Sequence, residues 1–183
     1  MKGAIIMLIS IKDIQKTILR STALFQDNTP KRLSKQETVT ITNYAYSLGI
    51  MYPASFIPGF TRNLSFYGKG PDEILSKVCV DLRNLAIVYR QIDLEDTISL
   101  QCNEYLIKVF YAAPNEKFPL GYFQFMRQDT KSGLWFQKVG NKQPAIITTG
   151  KNITPGSEPT VLTLTLTNFI CQCKPIGYFI ITE

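Results

Sequence analysis

The chain has 183 residues, 45% apolar and 19% charged, with a net charge of +6, which is the composition of a folded globular protein rather than a disordered one. It contains no histidine, so the commonest general base and zinc ligand is missing, and Ser-His or Cys-His nucleophile activation cannot occur within this chain. Four cysteines, Cys79, Cys102, Cys171 and Cys173, are too few for a disulfide framework, lack the Cys-x2-Cys spacing of zinc sites and are expected as free thiols without a metal or other cofactor.

Met1 to Ile9 has the single positive charge and short apolar run of a secretory leader but not the small-residue cleavage pattern. A first strand or a lead-in to a helix is expected there. Ser10 to Gln26 reads as a helix, with Ser10 and Asp13 as a variant capping box and Ile11, Ile14, Ile18 and Phe25 near one face. Asp27-Asn28-Thr29-Pro30 stops it. A second helix starts at Ser34, where Ser34-Lys-Gln-Glu37 matches the capping box. It carries Ile41, Tyr44, Ala45 and Leu48 at helical spacing and ends at Gly49, although the β-branched run from Thr38 to Thr42 opposes it.

Pro53, Pro58 and Gly59 make residues 50–70 an irregular connector. Pro71 opens a third helix, with Asp72 and Glu73 complementing its dipole and a stripe of Ile74, Leu75, Val78, Leu82, Leu85, Ala86 and Tyr89. From about residue 97 the apolar period becomes 2. Strands are expected at Ile98–Cys102, Tyr105–Tyr111, Gly121–Gln128, Leu134–Val139, Ala145–Thr149, Thr160–Thr167 and Tyr178–Thr182, with a hairpin loop at Asp129–Gly133. Cys171 and Cys173 alternate along a strand and so point to one face. The expected class is α+β: about three N-terminal helices, then a C-terminal antiparallel β-sheet or sandwich-like half, with the third helix packed on it. We expect a single domain over residues 1–183; subdomains 1–70 (helical) and 71–183 (helix plus antiparallel sheet) are the alternative.

No apolar run approaches the ~20 residues of a membrane span. Free thiols favour a reducing, cytoplasmic setting, with a secreted effector as the alternative. Residues 1–70 carry a net +6, residues 71–104 a net −4 and residues 105–183 a net +4. Such segregation is expected of solvated faces, and it also offers two candidate surfaces. Lys16, Arg20, Lys31, Arg32 and Lys35 are candidates for a sequence-blind anion or nucleic-acid site, with Tyr67, Tyr122, Phe123 and Phe125 as base-stacking groups if exposed and as core if not. Asp93, Glu95 and Asp96, with Glu104 close behind, are a candidate carboxylate site, although acidic residues at a turn are usually just solvated.

Ala45-x3-Gly49-Ile50 resembles the turn of helix-turn-helix DNA-binding domains, in which a small residue lets helices approach and glycine takes a left-handed turn. The resemblance covers about fifteen residues, and Met51-Tyr52-Pro53 to Pro58 departs from it where a recognition helix would lie. Tyr67-Gly68-Lys69-Gly70-Pro71 has the glycines of a phosphate loop without the full Walker pattern, and Asp72 and Glu73 already occupy the helix start; a loop and cap is expected. Three functions remain. The first is a non-enzymatic protein-interaction module, such as an adaptor, an accessory subunit or an effector domain, whose partner is another protein. The second is a nucleic-acid-binding protein using the basic N-terminal half. The third is a histidine-free enzyme using carboxylates such as Asp93 and Glu95 on a sugar or nucleotide.

Overall fold

The computed structural model describes residues 10–26, 29–52, 56–62, 70–116, 119, 121–129, 131–147, 162–166 and 169–183, and only the backbone of 21, 22, 162–166 and 169–171. The expectations for residues 1–9, Asp27-Asn28, Pro53, Tyr67-Gly68-Lys69, Thr148-Thr149, Thr160-Val161, Thr167 and the Cys171 thiol lie outside this set.

The run Tyr105-Leu-Ile-Lys-Val-Phe-Tyr111 is apolar on nearly every residue, as a strand covered on both faces must be. It forms β4 (Glu104–Ala112) at the middle of an antiparallel sheet. The sheet also contains β3 (Val88–Ile92), β5 (Tyr122–Gln128), β6 (Trp135–Gln137), β7 (Ala145–Ile146) and β9 (Phe169–Thr182), in the order β3-β9-β4-β5-β6-β7, and β8 (Leu162–Leu166) forms a hairpin with β9. Tyr105, Ile107, Val109, Phe125, Phe179 and Ile181 join the core shared with the helices. Leu106, Phe110, Met126, Trp135, Cys173, Tyr178 and Ile180 form a second core on the opposite face. The α+β class therefore holds, with the antiparallel sheet where the period changes.

The helical half is more broken than expected. Of the Ser10–Gln26 helix, α1 (Ile11–Gln15) and α2 (Ser21–Leu24) survive, and Phe25–Gln26 instead becomes β1, paired with β2 (Thr29–Pro30). The break is caused by backbone pairing with a distant segment. Leu19 donates to Gly49 O at 2.8 Å, Met51 donates to Thr17 O at 3.2 Å, and Ile18 bridges Ile50. Ser10 makes no side-chain cap; Asp13 pairs with Lys16 instead, at 2.9 Å.

The capping box at Ser34 is present, with Glu37 N donating to Ser34 Oγ at 3.2 Å and Ser34 N to Glu37 Oε2 at 2.7 Å. The β-branched run ends α3 (Lys35–Thr40) at an extended Ile41, and Thr42 caps a new helix, α4 (Asn43–Ser47). Its Tyr44, Ala45, Tyr46 and Ser47 are all buried. This five-residue helix is a core element, with no recognition helix after it among the described residues.

The third helix, α5 (Pro71–Asn84), starts at Pro71 as expected and buries Ile74, Leu75, Val78 and Leu82 on the sheet. It approaches closely at Gly177, where an added Cβ would meet a Leu75 methyl at 3.3 Å. Ala86 and Tyr89 do not extend its stripe, because Ala86 turns the chain at φ 56° and Tyr89 belongs to β3. Nor is Ile98–Cys102 a strand: Ile98 and Leu100 pack on the second face of the sheet from a loop, and Cys102 is exposed. No helix among the described residues is long and apolar enough to cross a membrane.

Gly49 adopts φ +74°, and a Cβ there would sit 2.4 Å from Leu19 O, the carbonyl beside the pairing that divides α1 from α2. Gly140 is also left-handed, at φ +49°, but has open space around it. Gly49→Ala is expected to cost at least about 3 kcal/mol and Gly140→Ala about 1 kcal/mol, measured as shifts in urea midpoint. Equal losses would mean that the close approach at Gly49 does not matter.

Candidate functional site

Two clefts formed by described residues border the N-terminal half, which buried polar side chains join to α5 and the sheet. Asp81, on the inner face of α5, is fully buried and accepts from Tyr44 Oη at 3.1 Å, Gly59 N at 2.7 Å, and Thr61 N and Oγ1 at 3.0 and 2.6 Å. Burial raises its pKa, and these donors, which favour the carboxylate, offset that rise only in part. Arg127, on the helix-facing side of β5, donates to Ser47 O at 3.3 Å and to Glu183 Oε1 at 2.8 Å, and its guanidinium lies 3.3 Å from the centre of the Tyr105 ring. Asn43 at the start of α4 donates to Phe123 O at 3.1 Å and Gln124 Oε1 at 2.7 Å.

The first cleft, about 430 Å³, lies between the Ile18–Arg20 segment and the ends of β3, β4 and β9. Ile18, Leu19, Leu85, Ile87, Val88 and Ile181 give it apolar walls, with Tyr105, Arg20 and Glu183 also lining it. Gln15 Nε2 donates to Leu85 O at 2.8 Å and so ties α1 to the end of α5 across the cleft. Val88 is 66% exposed, unusual for a strand valine. Among the described residues β3 pairs with β9 alone, and no described strand lies along its other edge.

The second cleft, about 630 Å³, is polar and is lined by Ala23, Gln26, Thr29, Pro30, Lys31 and Arg32. The structure therefore divides the basic candidates. Lys31 and Arg32 share this cleft, Arg20 lines the other one, Lys35 is exposed in the first turn of α3, and Lys16 is exposed and paired with Asp13. Of the aromatic candidates, Phe125 is buried, and Tyr122 and Phe123 pack against the cores.

Asp93, Glu95 and Asp96 are exposed in the turn after β3, line neither cleft, and are joined by Asp93 N donating to Asp96 Oδ2 at 3.2 Å. Glu104 stands apart, buried, with Arg90 on both oxygens at 3.0 and 2.9 Å. The Gln101 amide and then Arg90 hold its pKa below the usual carboxylate value. Cys79 and Cys173 are buried, and among the described residues no three Cys, Asp or Glu side chains group as a metal site.

Sequence reasoning missed the buried charges, although alternation carried the signal. Phe123, Phe125 and Arg127 share one flank of β5, so the arginine must enter the core with the phenylalanines. Lys138 likewise follows Phe136. It is 1% exposed and donates to Thr38 O at 2.8 Å, in the last turn of α3, and to Gly140 O. Burial lowers its pKa from 10.5 to about 8. Between these values the unfolded chain binds more protons than the folded one, so the Lys138 contribution to stability grows as pH rises through that window. Tyr44 and Tyr105, both raised by burial, act oppositely above their usual 10, so the window to read is pH 8 to 10. The stability difference between wild type and Lys138→Met should shift in favour of wild type by roughly 1 kcal/mol per pH unit there. A difference independent of pH would mean that Lys138 keeps an ordinary pKa.

Comparison with known proteins finds no match to this arrangement: no family model fits the chain, and no curated protein or solved structure matches it.

Proposed function

We propose that this chain is a non-enzymatic interaction module that holds an extended segment of a partner protein along the free edge of β3. The observation that carries the reading is the pairing of that edge with the exposed Val88 and the apolar cleft beside it. Strand addition draws affinity from main-chain hydrogen bonds and specificity from pockets that take alternate side chains. Natural edges are usually blunted by charge. Here the charged and polar side chains of β3 turn back on the protein itself, Arg90 to Glu104 and Gln91 to the Cys79 thiol at 3.1 Å. Val88 remains uncovered.

The partner segment is expected to be apolar at alternate positions, with an acidic residue placed to meet Arg20. That arginine makes no hydrogen bond or ion pair with its side chain among the described residues, and the first 70 residues carry a net +6. At the inner side of the cleft Arg127 pairs with Glu183 and covers the Tyr105 ring, which fixes both side chains in place.

The test is selection from a displayed library of random linear peptides, followed by titration of the enriched peptides into isotope-labelled protein. Resonances of Leu85–Ile92 and Ile18–Arg20 should shift, and Val88→Lys should weaken binding at least ~10-fold, or about 1.4 kcal/mol, by placing a charge on the edge. Enriched peptides that bind Val88→Lys as well as wild type would overturn the proposal, and so would a selection that enriches nothing.

A further inference from the structure

We propose that the polar cleft at Lys31 and Arg32 is a second, independent binding site, one that takes a phosphate group. Three features support it. The cleft is large enough for a small phosphorylated molecule, at about 630 Å³, and its lining is mostly polar. Both cations are available: the side chains of Lys31 and Arg32 make no hydrogen bond or ion pair among the described residues. Glu37 acts on Lys31 through space, and its carboxylate already accepts from the Ser34 amide in the capping box.

The third feature is that the backbone carrying the two cations is fixed at both ends. Lys31 N donates to Leu24 O at 2.6 Å, and Lys31 O accepts from the buried Tyr46 Oη at 3.1 Å. Leu33 is clamped by the Gln143 side chain, its N–H donating to Oε1 at 2.9 Å and its carbonyl accepting from Nε2 at 2.7 Å. Arg32 is therefore presented from a segment tied to α4 and to the β6–β7 connection, and little backbone ordering is left to oppose binding. A guanidinium beside an ammonium matches a phosphate dianion, the first by a bidentate fork and the second as a point charge.

Among the described residues no aromatic ring lines this cleft. A base would find no ring among them to stack on, and stacking is what single-stranded nucleic-acid sites add to charge. The ligand class is thus a compact phosphate ester or polyphosphate rather than a nucleic acid. A free anion and a lipid headgroup offer the same group.

Inorganic pyrophosphate, phosphatidylcholine vesicles with and without phosphatidic acid, and a single-stranded RNA homopolymer are the probes, each titrated into the full chain. Pyrophosphate should bind saturably and shift the resonances of Ala23, Gln26 and Lys31–Leu33. Arg32→Gln and Lys31→Gln, both exposed and so compatible with folding, should each weaken it at least ~10-fold, while Arg20→Gln changes it less than ~2-fold. Tighter binding to the phosphatidic-acid vesicles, with the same variants affected, would assign the phosphate to a lipid headgroup, and equal or weaker binding to a soluble ester. No saturable response to pyrophosphate would overturn the proposal. So would RNA binding that tightens with length and responds equally to Arg20→Gln and Arg32→Gln. Val88→Lys should leave pyrophosphate binding intact, so the two proposed sites can fail separately.

Discussion

Charged side chains buried between the sheet and the helical half hold the two together in one seating. Arg127 reaches from β5 to the end of α4 and Lys138 reaches the last turn of α3, while within the helical half Asp81 gathers donors from Tyr44 and the Gly59–Thr61 segment onto α5. Apolar burial alone is non-directional and would tolerate sliding of short helices over a phenylalanine-rich face. A buried charge does not tolerate it, because a slip that separates it from its partners leaves an uncompensated charge costing several kcal/mol. Such groups add little net stability compared with apolar replacements of the same shape, and what they supply here is register.

Backbone pairing and uncharged side chains shape the two clefts. The apolar one exists because Ile18–Arg20 is pulled onto Gly49–Met51 rather than continuing α1, and because Gln15 reaches across to Leu85. Its inner end rests on Tyr105, itself covered by Arg127. The polar cleft exists because β1 and β2 form a small separate hairpin whose exit, Lys31–Leu33, is fastened to Leu24, Tyr46 and Gln143. A basic stretch that looks continuous along the chain is thereby divided. The apolar cleft takes Arg20, and the polar cleft takes the two cations that stay together.

The elements legible in the sequence were those whose local signal had no competitor. Pro71 with two acids and a broad apolar stripe announced α5, near-continuous apolar and aromatic runs announced β4 and β5, and alternation announced β8. The capping box at Ser34 was legible to the atom. The losses came where distant pairing overrode local preference. Thr17–Leu19 fit a helical stripe until Gly49–Met51 claimed their backbone. Tyr89 happens to fall in phase with the α5 stripe, so β3 was hidden behind its own helix, and the left-handed turn at Ala86 carries no glycine to mark it. Ile98 and Leu100 alternate because they cover the second face of the sheet, which needs apolar side chains at that spacing but no strand. Of the site, charge was legible and partition was not, because nothing local to Arg20 or Arg32 says which cleft each will line.

Partner binding by strand addition depends on the state of the β3 edge, which amide hydrogen exchange reads without any ligand. In an antiparallel strand with one neighbour, alternate amides face that neighbour and the others face water. Along Val88–Ile92 slow exchange is expected at the amides bonded to β9 and fast exchange at those between them. Slow exchange at all five would mean that the edge is already occupied, and the proposed mode of partner binding would have no place to form.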